Sequence, residues 1–399
     1  MLSDKQLQRY ADVLLWGLKT ARNGAFKKND IILIRYDRPA TRLAEILYAR
    51  ILDKGMNPVQ RMTSTTAMEI SFFELSDSRQ LVFQPPGDME LFQSLNGGIF
   101  LHAPESITHL GGIDPKKIGK ATIARKPLRD ILDSREDQGL FGWTLCMCPT
   151  EELARHAGLT LEEYTSQIVK ACFLNRRSAV DQWQEIYKNA STIKKWLNSM
   201  EIKSLKVESK NIDLVITPGI ARKWIGISGH NIPSFEIFLS PDWKGTKGVY
   251  YADMPSYRSG NYVEKVRLEF KDGSVVKAEA AKGQDFLRKQ IAMDKGADKV
   301  GEFSLTDKRF SKISTFMANT LFDENYGGRN GNCHLALGAS YSDTYAGNPA
   351  ELTKDKKKEL GFNDSALHWD LVNTEGKRVT ASLESGKTLT IYENGKFVY

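Results

Sequence analysis

The chain of 399 residues is poor in cysteine: only Cys146, Cys148, Cys172 and Cys333 occur, and none forms a CxxC pair. That excludes a disulfide framework and the common zinc spacings. Four thiols in so long a chain read as free thiols in a reducing compartment. Cys146 and Cys148 alternate as buried neighbours on a strand do, and soft-metal binding is the lesser reading of that pair. No stretch approaches eighteen consecutive apolar residues, which argues against a membrane-spanning helix. The opening MLSDKQLQRYADVLLW lacks the basic start, apolar run and cleavage site of an export signal. A cytoplasmic location is the expectation. No Walker loop or glycine fingerprint supports nucleotide binding. GxSxG is also missing, and Cys333 beside His334 would point away from it on a regular strand, so a serine or cysteine hydrolase is disfavoured.

Charge of one sign is in modest excess, at +7. The basic residues are dispersed, however, and the densest run, KDKKKE at 354–359, reads as a solvated helix or loop. With no finger spacing and no RNP-like aromatic run, nucleic acid is not an expected partner.

Apolar residues make up 41% and charged residues 26%, ordinary for a globular protein, and the length favours two domains. Ser3 and Gln6 have capping-box spacing ahead of an amphipathic helix. IILIRY (31–36) reads as a strand. ATRLAEILYARILDKG follows as a helix stopped at Gly55. RQLVFQPP (79–86) and GGIFLHAPE (97–105) read as further strands. These alternations predict a small α/β domain over residues 1–110. Thr160 and Glu163 open a second capped helix within a helical section at about 150–200, where tryptophans anchor the core. From 204 the period changes to strands and turns, with hairpin signals at Ser385-Gly386 and Asn394-Gly395. Residues 111–399 are therefore expected to form a larger, mixed α+β, strand-rich domain that holds the reactive groups.

Six histidines occur, two of them in NCHLALGASY (332–341) and ALHWD (366–370). On a strand, His368 and Asp370 share a face because side chains alternate, with Trp369 turned into packing. His334 and Tyr341 would share a face of a helix but oppose each other on a strand; the spacing leaves both open. Glu236 in NIPSFEIFLSP sits in an apolar stretch, where a buried carboxylate must be paired, hydrogen-bonded or metal-bound. Glu302 follows Gly301 in GADKVGEFSL, and Asp323 and Glu324 in LFDENYGG precede His334. Nitrogen and oxygen donors without thiolate favour a hydrolytic site for Zn, Co or Mn. The competing reading is of half-buried histidines and acids that merely satisfy hydrogen bonds.

In this order, NIPSFEIFLSP, GADKVGEFSL, LFDENYGG with NCHLALGASY, and ALHWDLV resemble the signature blocks of the thermophilic-aminopeptidase family. These are metallopeptidases of the aminopeptidase T, AmpS and PepS type. WTLCMCPTEELARHAGLTLEEY and VEKVRLEFKDGSVVKAEA resemble it too, so the likeness covers nearly the whole chain. It implies an α/β N-terminal domain and a catalytic domain with two divalent ions, in a cytosolic homodimer that removes N-terminal residues from short peptides. It also implies the metal ligands Glu236, Glu302, His334, Tyr341, His368 and Asp370. Glu324, outside the ligand set but close to His334 in sequence, is the expected proton-transfer residue. The chain departs from the family pattern at Phe235, where a small or acidic residue is usual, and in YGGRNGNC, which is longer than usual. Both bear on side-chain preference more than on the chemistry. The rival functions are another dinuclear metal-dependent hydrolase, an amidase or phosphatase, and an inactive scaffold of the same fold.

Overall fold

The computed structural model describes residues 1–399 and falls into two compact units. One comprises Met1–Tyr187 with Ile227–Ser234, the other Lys188–Gly226 with Phe235–Tyr399.

In the first unit the run IILIRY forms β1 (Ile31–Tyr36), flanked by β2 (Asn57–Met62) on one side and β3 (Gly97–His102) on the other. β4 (Gly142–Met147) pairs with β3. The chain then makes β5 (Ile202–Ser209) and β6 (Asp213–Thr217) before β7 (Asn231–Ile232) joins β4. The resulting order, β2-β1-β3-β4-β7, is parallel throughout. Alternation along β1 sends its side chains to both faces. Ile32 and Leu18 of the helix Asp4–Ala21 meet over Gly97, where a Cβ would lie 2.9 Å from Ile32. Leu33 packs on the other face with Leu95 and Phe141, beside Leu91 and Leu132 of two further helices. Each such burial contributes roughly 1.5–3 kcal/mol. Both expected capping boxes are present, Ser3 with Gln6 and Thr160 with Glu163. Gly55, at φ +74°, follows the helix Thr41–Asp53.

Two sequence expectations change, and one strand is new. The division does not fall at residue 110, because β4 and the helices that follow it complete the first unit up to Tyr187. Residues 79–86 are no strand: the Asp77 carboxylate accepts from the amides of Arg79 and Gln80 and folds Gln80–Val82 into a 3-10 turn. Polar, edge-placed β2 carries no apolar alternation and was not foreseen.

The second unit is dominated by antiparallel strands: β8 (Glu236–Leu239), β9 (Asp242–Ala252), β10 (Ser256–Arg258), β11 (Asn261–Val263), β12 (Val266–Lys271) and β13 (Ser274–Glu279). β14 (Val300–Thr306), β15 (Asn332–Gly338), β16 (His368–Asn373), β17 (Lys377–Leu383), β18 (Thr388–Glu393) and β19 (Lys396–Phe397) follow. An eight-stranded sheet has the order β13-β12-β9-β6-β5-β17-β18-β19, with Asn394 and Gly395 at positive φ in the last turn. A four-stranded sheet, β16-β15-β14-β8, carries the chemistry.

Candidate metal centre

Register decides which side chains meet on that four-stranded sheet. Ser304 on β14 lies opposite Phe238 on β8 and His334 on β15, and Ala336 pairs with both Glu302 and Asp370. Cross-strand partners share a face. One face therefore carries Glu236, Glu302, Ser304, His334, His368 and Asp370. The other carries Ile237, Leu239, Phe303, Leu305, Leu335, Leu337, Trp369 and Leu371, all buried. Trp369 turns away from the acids, as its position between His368 and Asp370 predicted, and its Nε1 donates to Ser256 Oγ at 3.0 Å.

Glu302 reaches the polar face through a β-bulge. Val300 pairs with Leu337 and Glu302 with Ala336, so β14 spends one residue more than β15. Val300 stays with the apolar side chains, and Glu302, which in a regular strand would follow it there, is turned to the acids. The extra residue is Gly301, where a Cβ would lie 2.2 Å from the Ala339 carbonyl oxygen. Tyr341 is on neither a helix nor a strand: β15 ends at Gly338, at φ +104°, and the chain turns before it.

Two groups of donors result, each with its ligand atoms within 4.8 Å of one another: Glu236, Glu302 and His334, and Glu302, His368 and Asp370. Glu302 belongs to both. His334 Nε2 stands 3.2 Å from Glu236 Oε2 and 3.2 Å from Glu302 Oε1. His368 Nε2 stands 3.5 Å from Glu302 Oε2 and 3.3 Å from Asp370 Oδ1. The first group is sealed, with the His334 side chain 1% exposed, while that of His368 is 19% exposed. The Tyr341 ring packs 4.8 Å from the His368 ring and is 37% exposed, on the accessible side of the site.

The electrostatics identify what this cluster lacks. Glu236, Glu302, Asp370 and Glu324 bring four carboxyl groups against two imidazoles in a largely buried space. Burial and the charges of Glu302 and Asp370 push Glu236 up to about 8, against the pull of His334. Burial also raises Glu324 well above the carboxylate range, and Glu236, Asp370 and Glu302 raise it further. Burial would depress His334, but its hydrogen bond to Glu302 and the nearby carboxylates outweigh that and push it up to about 9. Asp370 goes the other way: burial is overcome by His368, His334 and Arg258, which hold it well below its ordinary range. Such an excess of buried negative charge needs protons or cations to offset it. The imidazoles suit cations. The Ala339 carbonyl accepts from His368 Nδ1 at 2.9 Å, which leaves Nε2 as the nitrogen that faces the carboxylates and would meet a cation. The donor set thus fits divalent ions.

Residues 3–397 match the family described as thermophilic metalloprotease (M29). The chain belongs to this family. Aminopeptidase 2 of Geobacillus stearothermophilus is 30% identical over 329 residues, covering 76% of each chain. Aminopeptidase AmpS of Bacillus subtilis (strain 168) is 29% identical, covering 76% of this chain and 77% of its own. The solved structure of wild-type AmpT from Thermus thermophilus superposes with a TM-score of 0.78 at 20% identity, over 98% of this chain and 99% of that one, and shows the same mixed α/β fold. The family's name calls for a metal, and the polar face of the four-stranded sheet offers one a place.

Five of the six ligand positions read from the sequence converge in the two donor groups, and Tyr341 packs against one of their members. Glu324 lies within electrostatic reach of the same acids, at the end of the short helix Thr320–Asp323. Phe235 is wholly buried, and its amide donates to Asn325 Oδ1. The sequence reading missed three supports. Ser304 Oγ donates to Glu236 Oε2 at 3.2 Å. Arg258 on β10 donates to the His368 carbonyl at 2.6 Å. The third is the Ala339 carbonyl. Ser304 was findable, two residues after Glu302 on the same strand face; Arg258, 110 residues from His368, left no local signal.

Proposed function

We propose that the chain is a metal-dependent aminopeptidase that hydrolyses the N-terminal peptide bond of short peptides. One observation carries this: Glu302 is shared by two donor groups, the arrangement expected of paired divalent ions. Glu236 and His334 would hold one ion, and His368 and Asp370 the other, with Tyr341 beside His368 as a sixth ligand. When bound, the ions supply Lewis acidity and a water that ionises near neutral pH. Zn, Co and Mn all suit an oxygen and nitrogen set without thiolate.

The chain's own groups supply the rest. Glu324 is a buried carboxyl with a raised affinity for protons, suited to take the proton of the attacking water and deliver it to the leaving amine. His368, fixed through its Nδ1 by Ala339, keeps its other nitrogen aimed at Glu302 and Asp370. The accessible side, at His368, Asp370 and Tyr341, is where substrate would enter, and its negative charge suits a cationic α-amine. The relatives named aminopeptidase support that exopeptidase reading. With it comes a cytoplasmic homodimer, which the family resemblance supports.

The test uses an aminoacyl p-nitroanilide and its N-acetylated form, on protein with measured metal content. Cleavage of the free-amine substrate alone is expected. Equal cleavage of both would instead favour a general amidase.

A further inference from the structure

The metal centre leaves a second polar relay unexplained in the first unit. His230, just before β7, and Glu136, in the helix Lys126–Asp137, lie 94 residues apart in sequence. His230 Nε2 is 2.6 Å from Glu136 Oε1, and His230 Nδ1 is 2.6 Å from Ser228 Oγ. The second oxygen of Glu136 accepts from Trp143 Nε1 at 3.0 Å, and the Trp143 ring lies 4.6 Å from the imidazole. A carboxylate only accepts, so Nε2 carries the imidazole proton and Nδ1 turns its lone pair to Ser228. The Ser228 hydroxyl therefore donates to a base whose far side is oriented by a carboxylate. That relation activates a serine as a nucleophile.

The backbone supports it. Ile227 and Gly229, on either side of Ser228, have φ of +51° and +91°. Positive φ at a β-branched residue is costly, and such turns concentrate at functional positions. Gly229 is required, because a Cβ there would lie 2.4 Å from the Gly17 carbonyl oxygen. Ser228 itself is half-buried, between buried Ile227 and Gly229. The backbone N–H groups of Ser228 and Gly229 adjoin the hydroxyl in the chain, and donors of this kind are what a developing oxyanion needs.

We propose that Ser228, His230 and Glu136 form a metal-independent acyl-transfer site that hydrolyses small, unhindered carboxylic esters. Ser228 Oγ bonds to the ester carbonyl carbon as its proton passes to His230 Nδ1, and the Ser228 and Gly229 amides receive the oxyanion. The carbon–alkoxide bond then breaks, and the alcohol leaves with the proton from Nδ1. Water adds to the acyl-serine, giving its proton to Nδ1, which returns it to Ser228 Oγ as the acid departs. Ester and water become acid and alcohol, with no redox change. His230 is the general base, and Glu136 is a positioning residue that acts through it.

The test treats the metal-loaded protein with a fluorophosphonate probe and, separately, with p-nitrophenyl acetate. Peptide mapping should find one phosphonyl group per chain, on Ser228, and the ester should release a burst of about one equivalent of nitrophenolate. Ser228→Ala should lose both signals at an unchanged Tm. His230→Ala should slow labelling by about 10²–10⁴-fold. Glu136→Gln should lower the rate while shifting its pH profile, which a merely structural contact would not do. Wild-type labelling settles the matter even if a variant folds poorly. Absence of label on Ser228, or ester hydrolysis equally fast in Ser228→Ala, overturns the proposal.

Discussion

The two faces of the four-stranded sheet are built from the same strands by opposite rules. One face excludes polar groups: Leu335, Leu337, Phe303 and Leu371 are buried against apolar neighbours. The other gathers Glu236, Glu302 and Asp370 around His334, and the repulsion and desolvation of those carboxylates are unfavourable until protons or cations offset them. Strand alternation alone keeps the faces apart, and the bulge at Gly301 is the one place where β14 breaks it. The apolar face should therefore govern stability and the polar face metal binding, with little crossover.

The sharpest break is at Glu302, the residue common to both donor groups. Glu302→Ala should lose bound metal, and kcat/KM on a free-amine substrate should fall by on the order of 10³ or more, the several kcal/mol expected of lost metal stabilisation. On the opposite face, Leu335→Ala should cost about 2–5 kcal/mol in denaturant unfolding, while the folded protein keeps its metal affinity. A large loss of metal in that variant would deny the separation.

Acid should act on the polar face only. Without metal, Glu236, pushed up to about 8, and His334, pushed up to about 9, both hold protons at pH 7. Both raised values mean that a divalent ion must displace those protons. Apparent affinity should thus fall on acidification below pH 8, by up to about a hundredfold per unit for two displaced protons, and level off above pH 9. Titrations in buffers of different ionisation enthalpy would count the protons released. Gly301→Ala places a Cβ against the Ala339 carbonyl, which also orients His368. A metal-affinity loss of about 10–100-fold is expected from disturbing that support. Ser304→Ala removes only the donor to Glu236 and should cost about tenfold in the same titration.

How much of this the sequence carried depends on how local the signal is. His-Trp-Asp at 368–370 encodes its own geometry, because alternation on one strand places both ligands together. Glu302 after Gly301 was visible as a feature, but the bulge that turns it inward is a property of pairing with β15. His334 and Tyr341 were undecided between helix and strand, because a turn after Gly338 follows neither period. The residue-110 boundary was misplaced because β4 and β7 join the first sheet from later in the chain. The Ser228–His230–Glu136 relay was invisible for the same reason, since 94 residues separate its base from its carboxylate.

The central claim is that one polar face holds two ions through a shared carboxylate. Metal content per chain, measured after equilibration with zinc or cobalt, tests it most directly across three proteins. The account predicts two equivalents in the wild type, one in the double variant His368→Ala with Asp370→Ala, and essentially none in Glu302→Ala. Two equivalents retained by Glu302→Ala would contradict it.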